Sequence, residues 1–180
     1  MRDDIPVLTQ FIARSARSLS QGYYSQTETE SAIRHVFGVD SALIADGSYF
    51  VAESRGVIVG CGGWSYRQSL YGGDQRRIGP PDLLDPRRDA ARIRAFFVAP
   101  EAARQGVGRR LFDACVKAAA DAGFGSLELM ATLPGVPFYA ALGFVVVEPV
   151  TDLLPDGITL RFIRMRRALA GTDNIGGVHP

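Results

Sequence analysis

The chain has little cysteine, almost no lysine and no long apolar run, and each shortage closes off a class of protein. Two cysteines in 180 residues, Cys61 and Cys115, cannot build a disulfide framework. Cys61 falls in a strand-like run and Cys115 on the apolar side of a helix, so both read as small core residues, and a reducing cytoplasm suits them. No stretch approaches the roughly 20 apolar residues of a membrane span, and the N-terminal segment lacks the apolar centre of a signal peptide. A cytoplasmic location without membrane contact is expected. The two histidines, His35 and His179, offer neither metal-ligand nor triad spacing, so no metal is expected. A formal net charge of +1 argues against a surface built to adhere to nucleic acid or membrane. Of the 20 basic residues all but Lys117 are arginine, a bias that genome composition explains as readily as phosphate recognition.

What is present is apolar content, 47% of the chain, enough for one domain whose core needs neither disulfide nor metal. We place that domain at 1–169 and a flexible tail at 170–180. Apolar residues at helical spacing predict a helix over 4–19, with Asp3 or Asp4 as cap, and a second over 27–37. Between them lies a polar connector carrying Tyr23 and Tyr24. Two β-rich runs, 49–53 and 57–67, read as a hairpin. Paired glycines at Gly62 and Gly63 suggest a bulge or close approach, while Trp64 and Tyr66 share a face and suit either the core or an acceptor wall. The segment 68–90, rich in Gly-Gly, Pro-Pro, arginine and aspartate, reads as a long binding loop or a surface insertion. Further strands are expected at 144–148 and 158–165.

The most informative stretch begins at 93–98, an apolar strand that Pro100 stops. Val107, Leu111, Cys115, Ala118 and Ala122 then recur at helical spacing up to Gly123, a C′ glycine, with Asp113 and Lys117 spaced to pair at i, i+4. The free N–H groups at a helix start favour an anion. Gly106 and Gly108 leave out side chains that would block it, and Arg104, Arg109 and Arg110 supply charge suited to phosphate. The Gly-Lys-Ser/Thr of a Walker loop is missing, and Leu111 stands where a dinucleotide fingerprint needs its third glycine.

Read together, the turn Ala103-Arg-Gln-Gly-Val-Gly108 and the later Tyr139-Ala-Ala-Leu-Gly-Phe144 resemble the GCN5-related N-acetyltransferases, from about Phe50 to Arg166. The resemblance implies an α/β fold of the α+β kind: a mixed, mostly antiparallel sheet, helices on both faces, and a splayed strand pair holding acetyl-CoA. It implies cofactor contacts from Phe96, Phe97 and Val98 on a bulged strand, from Arg104, Gln105, Gly106, Val107, Gly108 and Arg109 in the turn, and from Thr132. Ala103 and Thr132 depart from the family's usual Gln/Arg and Asn. The family usually begins with a strand for which this chain has almost no room. Its loop between the first two helices often edges the acceptor site, which brings Tyr23 and Tyr24 into view.

For chemistry the resemblance points to Tyr139 as the acid that protonates a departing thiolate. The base is open: Glu128 on the splayed strand, then Glu53 on the hairpin, or a water chain. The expected activity is acetyl transfer to a primary amine of a small molecule or peptide by direct attack. A non-catalytic acyl-CoA sensor is the alternative. A nucleic-acid binder using Arg161, Arg164, Arg166 and Arg167 fits the near-zero net charge poorly. Dimers are common among the proteins it resembles, which leaves a homodimer open.

Overall fold

The computed structural model describes residues 5–76 and 82–169. The expected Asp3/Asp4 cap, the tail at 170–180 and part of the 68–90 segment lie outside the described residues. Helix α1 (Ile5–Leu19) buries Leu8, Phe11, Ile12 and Ala16 on one side, as their spacing predicts. Helix α2 (Gln26–His35) starts at a capping box: the Ser25 hydroxyl accepts from the Glu28 N–H, and the Glu28 carboxylate accepts from the Ser25 N–H. A short helix α3 (Ser41–Ala45) follows, capped by Asp40.

The remaining elements are β1 (Tyr49–Ser54), β2 (Val57–Ser65), β3 (Ala91–Val98), α4 (Val107–Asp121), β4 (Ser126–Thr132), α5 (Val136–Ala141), β5 (Val145–Leu153) and β6 (Thr159–Ala168). The sheet runs β1-β2-β3-β4-β6-β5 and is antiparallel except where β3 meets β4. Parallel neighbours need a crossover, and α4 is that crossover. Among the described residues no strand precedes α1, so the sheet has six strands. Helices cover both faces. Side chains of α1, α2 and α3 join Cys61, Leu160 and Phe162 in one core. On the other face Phe112, Cys115 and Ala119 of α4 and Tyr139 of α5 join Trp64, Leu127, Leu129 and Met165.

Two expectations change and one open alternative closes. Strand β5 extends to Leu153 through Pro149, where a loop was expected; β5 is the outer strand, so a residue without an N–H fits there. Lys117 pairs with Asp121 (2.6 Å) and Asp113 lies 3.6 Å from Arg109, so Asp113 and Lys117 each take a different i, i+4 partner. Trp64 is a core residue, its ring edge-on to Phe124 at 6.1 Å and to Tyr66 at 6.0 Å, rather than an acceptor wall.

The 68–90 segment leaves the sheet through a bridge between Arg67 and Leu83. Residues 71–76 of it pack against the α1–α3 face, while Leu84 is buried in the core on the α4 face. Gly73 and Asp74 donate backbone N–H groups to Val36 and Val39, and the Tyr71 ring lies 5.2 Å from that of Phe162. Arg76 pairs with Asp152 on β5 and sits 5.0 Å from the Tyr71 ring centre. The segment therefore spans from the β2 side of the sheet to its β5 side.

Candidate acyl-CoA cleft

Strand β3 is the axis of the site. Its register against β2 pairs Cys61 with Phe97 and Gly63 with Arg94, so Ala95 and Phe96 together oppose Gly62. That extra residue is a β-bulge, and Ala95 takes the positive φ of 55°. A side chain at Gly62 would meet the Phe96 ring at 2.5 Å, so the glycine lets that ring lie on β2. Arg94, just before the bulge, is buried against Asp40 (2.7 Å) and donates to the Gly72 carbonyl. The bulge is thus tied to α3 and to the crossing segment.

On its other side β3 pairs with β4 only at Ala91–Leu127 and Arg92–Glu128. From Ile93 onward the two strands diverge. The Ala99 N–H bonds the Val59 carbonyl (2.9 Å), so Val98, one residue earlier, turns its N–H and C=O away from β2 and toward the opening. The Val98 carbonyl accepts from the buried hydroxyl of Ser15 on α1 (2.7 Å).

The cleft leads into the N-terminus of α4. Arg104 (φ 64°) and Gly106 (φ 80°) both sit in the left-handed region, making a tight turn of N–H groups. Arg110 is the residue whose N–H reaches back to the Gly106 carbonyl (3.0 Å), which leaves the first-turn N–H groups of Val107, Gly108 and Arg109 free of helical partners. Space before Gly106 is open: a Cβ there would meet only the Arg110 guanidinium, at 3.6 Å. Arg104, Gln105, Arg109 and Arg110 are exposed around it. Gln105 uses its side-chain amide within the turn, donating to the Glu101 carbonyl (2.7 Å). Gly108 meets a second constraint as well: a Cβ there would lie 3.1 Å from the Phe138 ring. Phe138 is a site residue that sequence reasoning missed.

Beyond the cleft, β4 ends at Thr132, and Thr132, Gly135 and Tyr139 meet. A Cβ at Gly135 would lie 3.2 Å from Thr132 Oγ1 and 3.3 Å from Tyr139 Cε2. The Tyr139 ring stands edge-on between Phe138 (5.1 Å) and Phe144 (5.7 Å). Burial, and then the neighbouring Cys115, push the Tyr139 hydroxyl well above the ordinary phenol range, so it keeps its proton at neutral pH. Glu128 lies on the opposite face of β4 from Leu127, Leu129 and Ala131, and so from Tyr139. Its two oxygens face Arg92 and Arg164 (2.9 Å to the latter), and Arg164 also reaches Glu148 (2.9 Å). The structure therefore does not bring Glu128 and Tyr139 together. Glu53 is exposed on the far β1 edge.

The two connector tyrosines divide. Tyr23 is 46% exposed, whereas Tyr24 is buried with its hydroxyl bonded to Arg161 and Leu133. A cavity of about 300 Å³ lies between α2 and the β5–β6 hairpin, apart from the cleft. Its polar wall is largely self-satisfied: Asp156 accepts from the Ser31 hydroxyl (2.7 Å) and Arg34 (3.2 Å). Among the described residues no group of His, Cys, Asp and Glu is placed to hold a metal, and no helix is long and apolar enough to cross a membrane.

A strand pair that opens beside a helix N-terminus offers an anion site at the end of a cleft, without the motif of a dinucleotide or Walker fold. Residues 13–144 match the model of the acetyltransferase (GNAT) family, and the chain belongs to that family. Solved structures that share its fold include three acetyltransferases. The GCN5-related N-acetyltransferase "Aminotransferase, Class-II" from Rhodopseudomonas palustris is 21% identical, with 94% of this chain and 92% of that one covered and a TM-score of 0.68. The PaiA N-acetyltransferase from Thermoplasma acidophilum, solved with coenzyme A, is 15% identical, with coverages of 93% and 94% and a TM-score of 0.62. The phosphinothricin acetyltransferase from Sinorhizobium meliloti, solved with AcCoA, is 23% identical, with coverages of 100% and 92% and a TM-score of 0.59. Among curated proteins none matches this chain.

Proposed function

We propose that the protein transfers an acetyl group from acetyl-CoA to a primary amine of a small molecule or peptide by direct attack. The observation that carries this is the continuity of the site. The unpaired side of β3 runs straight into the left-handed turn and free N–H groups of α4, and a protonated Tyr139 stands on the helix beyond β4. The residues present fit the cofactor. The N–H groups from Gly106 to Arg109, with Arg104 beside them, suit a pyrophosphate; the open space at Gly106 admits it. Val98, and Phe96 two residues before it, supply strand backbone for the pantetheine arm, whereas Phe97, expected to join them, turns its N–H and C=O to β2 opposite Cys61; Thr132 borders the arm's far end. Solved GNAT structures holding coenzyme A or AcCoA support the same donor.

When bound, acetyl-CoA supplies an acyl group already activated as a thioester. The chain orients it through β3 and holds a proton on the Tyr139 hydroxyl for the departing sulfur. Proton removal from the amine falls to Glu128 only once an acceptor has displaced a guanidinium, because both carboxylate oxygens are engaged. Otherwise water takes that proton. The same engagement favours the second reading, an acyl-CoA sensor without turnover.

Calorimetric titration with acetyl-CoA, run beside thiol release against a panel of amines, separates these readings. Binding with amine-dependent release supports the enzyme. Binding without release from any amine supports the sensor, and absence of binding overturns both.

A further inference from the structure

The β4–β6 ladder holds seven pairs, from Ser126–Ala168 to Thr132–Phe162. Its register makes Leu133–Arg161 the next one. That rung is replaced: the Tyr24 hydroxyl accepts from the Leu133 N–H (2.9 Å) and donates to the Arg161 carbonyl (2.6 Å). One side chain, 109 residues from the first partner and 137 from the second, thus ends the ladder. Leu133 is also where the chain leaves the sheet. It opens the tight turn Leu133–Gly135, which continues into α5 and Tyr139.

We propose that Tyr24 is a positioning residue for acyl transfer: by occupying the Leu133–Arg161 rung, its hydroxyl fixes the point where β4 gives way to the segment carrying Tyr139. The inference rests on the acetyltransferase reading for its catalytic part, though not for its structural part. A ring alone could not do this. With phenylalanine at 24 the Leu133 N–H and the Arg161 carbonyl would each lose the hydroxyl that partners them, beneath a ring that is itself only 7% exposed. Such groups do not stay unpaired. They would close directly on each other, drawing Leu133 toward β6 and α5 with it, or admit water and loosen the turn. Burial pushes the Tyr24 hydroxyl up to about 12, so it remains a donor at any pH at which the protein works. The α1–α2 connector is pinned to the same point, which couples its position to that of α5.

The test compares Tyr24→Phe, Tyr139→Phe and the double variant with the wild-type chain. Amide hydrogen exchange is followed at Leu133, in α5 and in α4. In Tyr24→Phe, exchange at Leu133 and across α5 should quicken about 10-fold, the equivalent of one net hydrogen bond, while α4 keeps its protection. Unchanged α5 exchange, or equal acceleration in α4, overturns the proposal, and this arm is readable whether or not the protein turns over. In the kinetic arm, Tyr24→Phe should lower kcat about 10-fold with the KM for acetyl-CoA unchanged. The double variant should be no slower than Tyr139→Phe, because Tyr24 acts through Tyr139. Losses that multiply would reduce Tyr24 to a structural role. A wild-type chain without turnover would remove the acetyltransferase reading, leaving the exchange result to decide the positional claim.

Discussion

Gly60 on β2 and Val107 at the start of α4 are in such close contact that a methyl group on the first would lie 2.7 Å from Cγ1 of the second. Leu111 Cδ1 would be 3.0 Å away. The helix that offers its N-terminus to the cleft is seated on a residue with no side chain. Gly60→Ala should therefore lift α4 from the sheet, costing about 1–3 kcal/mol as overpacking does. It should also weaken acetyl-CoA binding, since the turn at Gly106 moves with the helix. Denaturant unfolding and calorimetry would check both.

Tyr139→Phe removes the proton and keeps the ring in its aromatic contacts. Turnover should fall about 100-fold, the lower end of what a general acid contributes, with acetyl-CoA affinity and unfolding midpoint unchanged. Because burial holds the hydroxyl above its ordinary range, the wild-type rate should show no alkaline decline from this group at pH 8–9. A pH–rate profile against a non-titrating amine would read it.

The buried thiol and phenol groups make a separate prediction about alkaline stability. Burial raises Cys61 from 9.0 to about 12 and Tyr24 from 10.0 to about 12. Groups raised in the folded state stabilise it fully below their unfolded values, and that contribution is lost as pH climbs toward the folded ones. Stability should accordingly fall between about pH 9 and 12, by about 1.4 kcal/mol per group per pH unit where only the unfolded chain ionises. Urea unfolding at several pH values would measure this. Cys61→Ala, though less stable at neutral pH, should show a shallower decline between pH 9 and 10.

Glu128 sits at the closed end of the cleft with its side chain 12% exposed, between Arg92 (15%) and the more open Arg164 (38%). Glu128→Gln leaves Arg92 half-buried without its counter-charge and should cost about 3 kcal/mol, as breaking a buried pair does. Replacing Arg92 and Glu128 together by methionine should recover most of that loss. A variant that keeps wild-type stability yet loses turnover would instead make Glu128 a base.

What could be read from the sequence was whatever local pattern dictates. Pro100, the glycines at 106 and 108, and the helical spacing from Val107 fix a strand, turn and helix within about thirty neighbouring residues. The Tyr139–Phe144 signature is equally local. What escaped depends on partners distant in the chain. Nothing around Tyr24 signals a bond to Leu133 or Arg161, and nothing around Gly108 signals the Phe138 ring. Pro149 reads as a loop residue until topology makes β5 an outer strand. Asp113 and Lys117 have suitable spacing, but Arg109 and Asp121 compete for them at the same spacing.

That outer strand bears on how the protein behaves in concentrated solution. Val145, Val146 and Val147 stand 67%, 58% and 43% exposed on it, a run that on a flat, unbroken edge would invite a second chain to add its own strand. The register shift between Val146 and Glu148 kinks the edge there, and Pro149 withholds a donor two residues later. Continuous strand addition along this edge is interrupted within its first half. Copies that meet there have apolar side chains to offer, with no uninterrupted backbone template on which a fibril could grow.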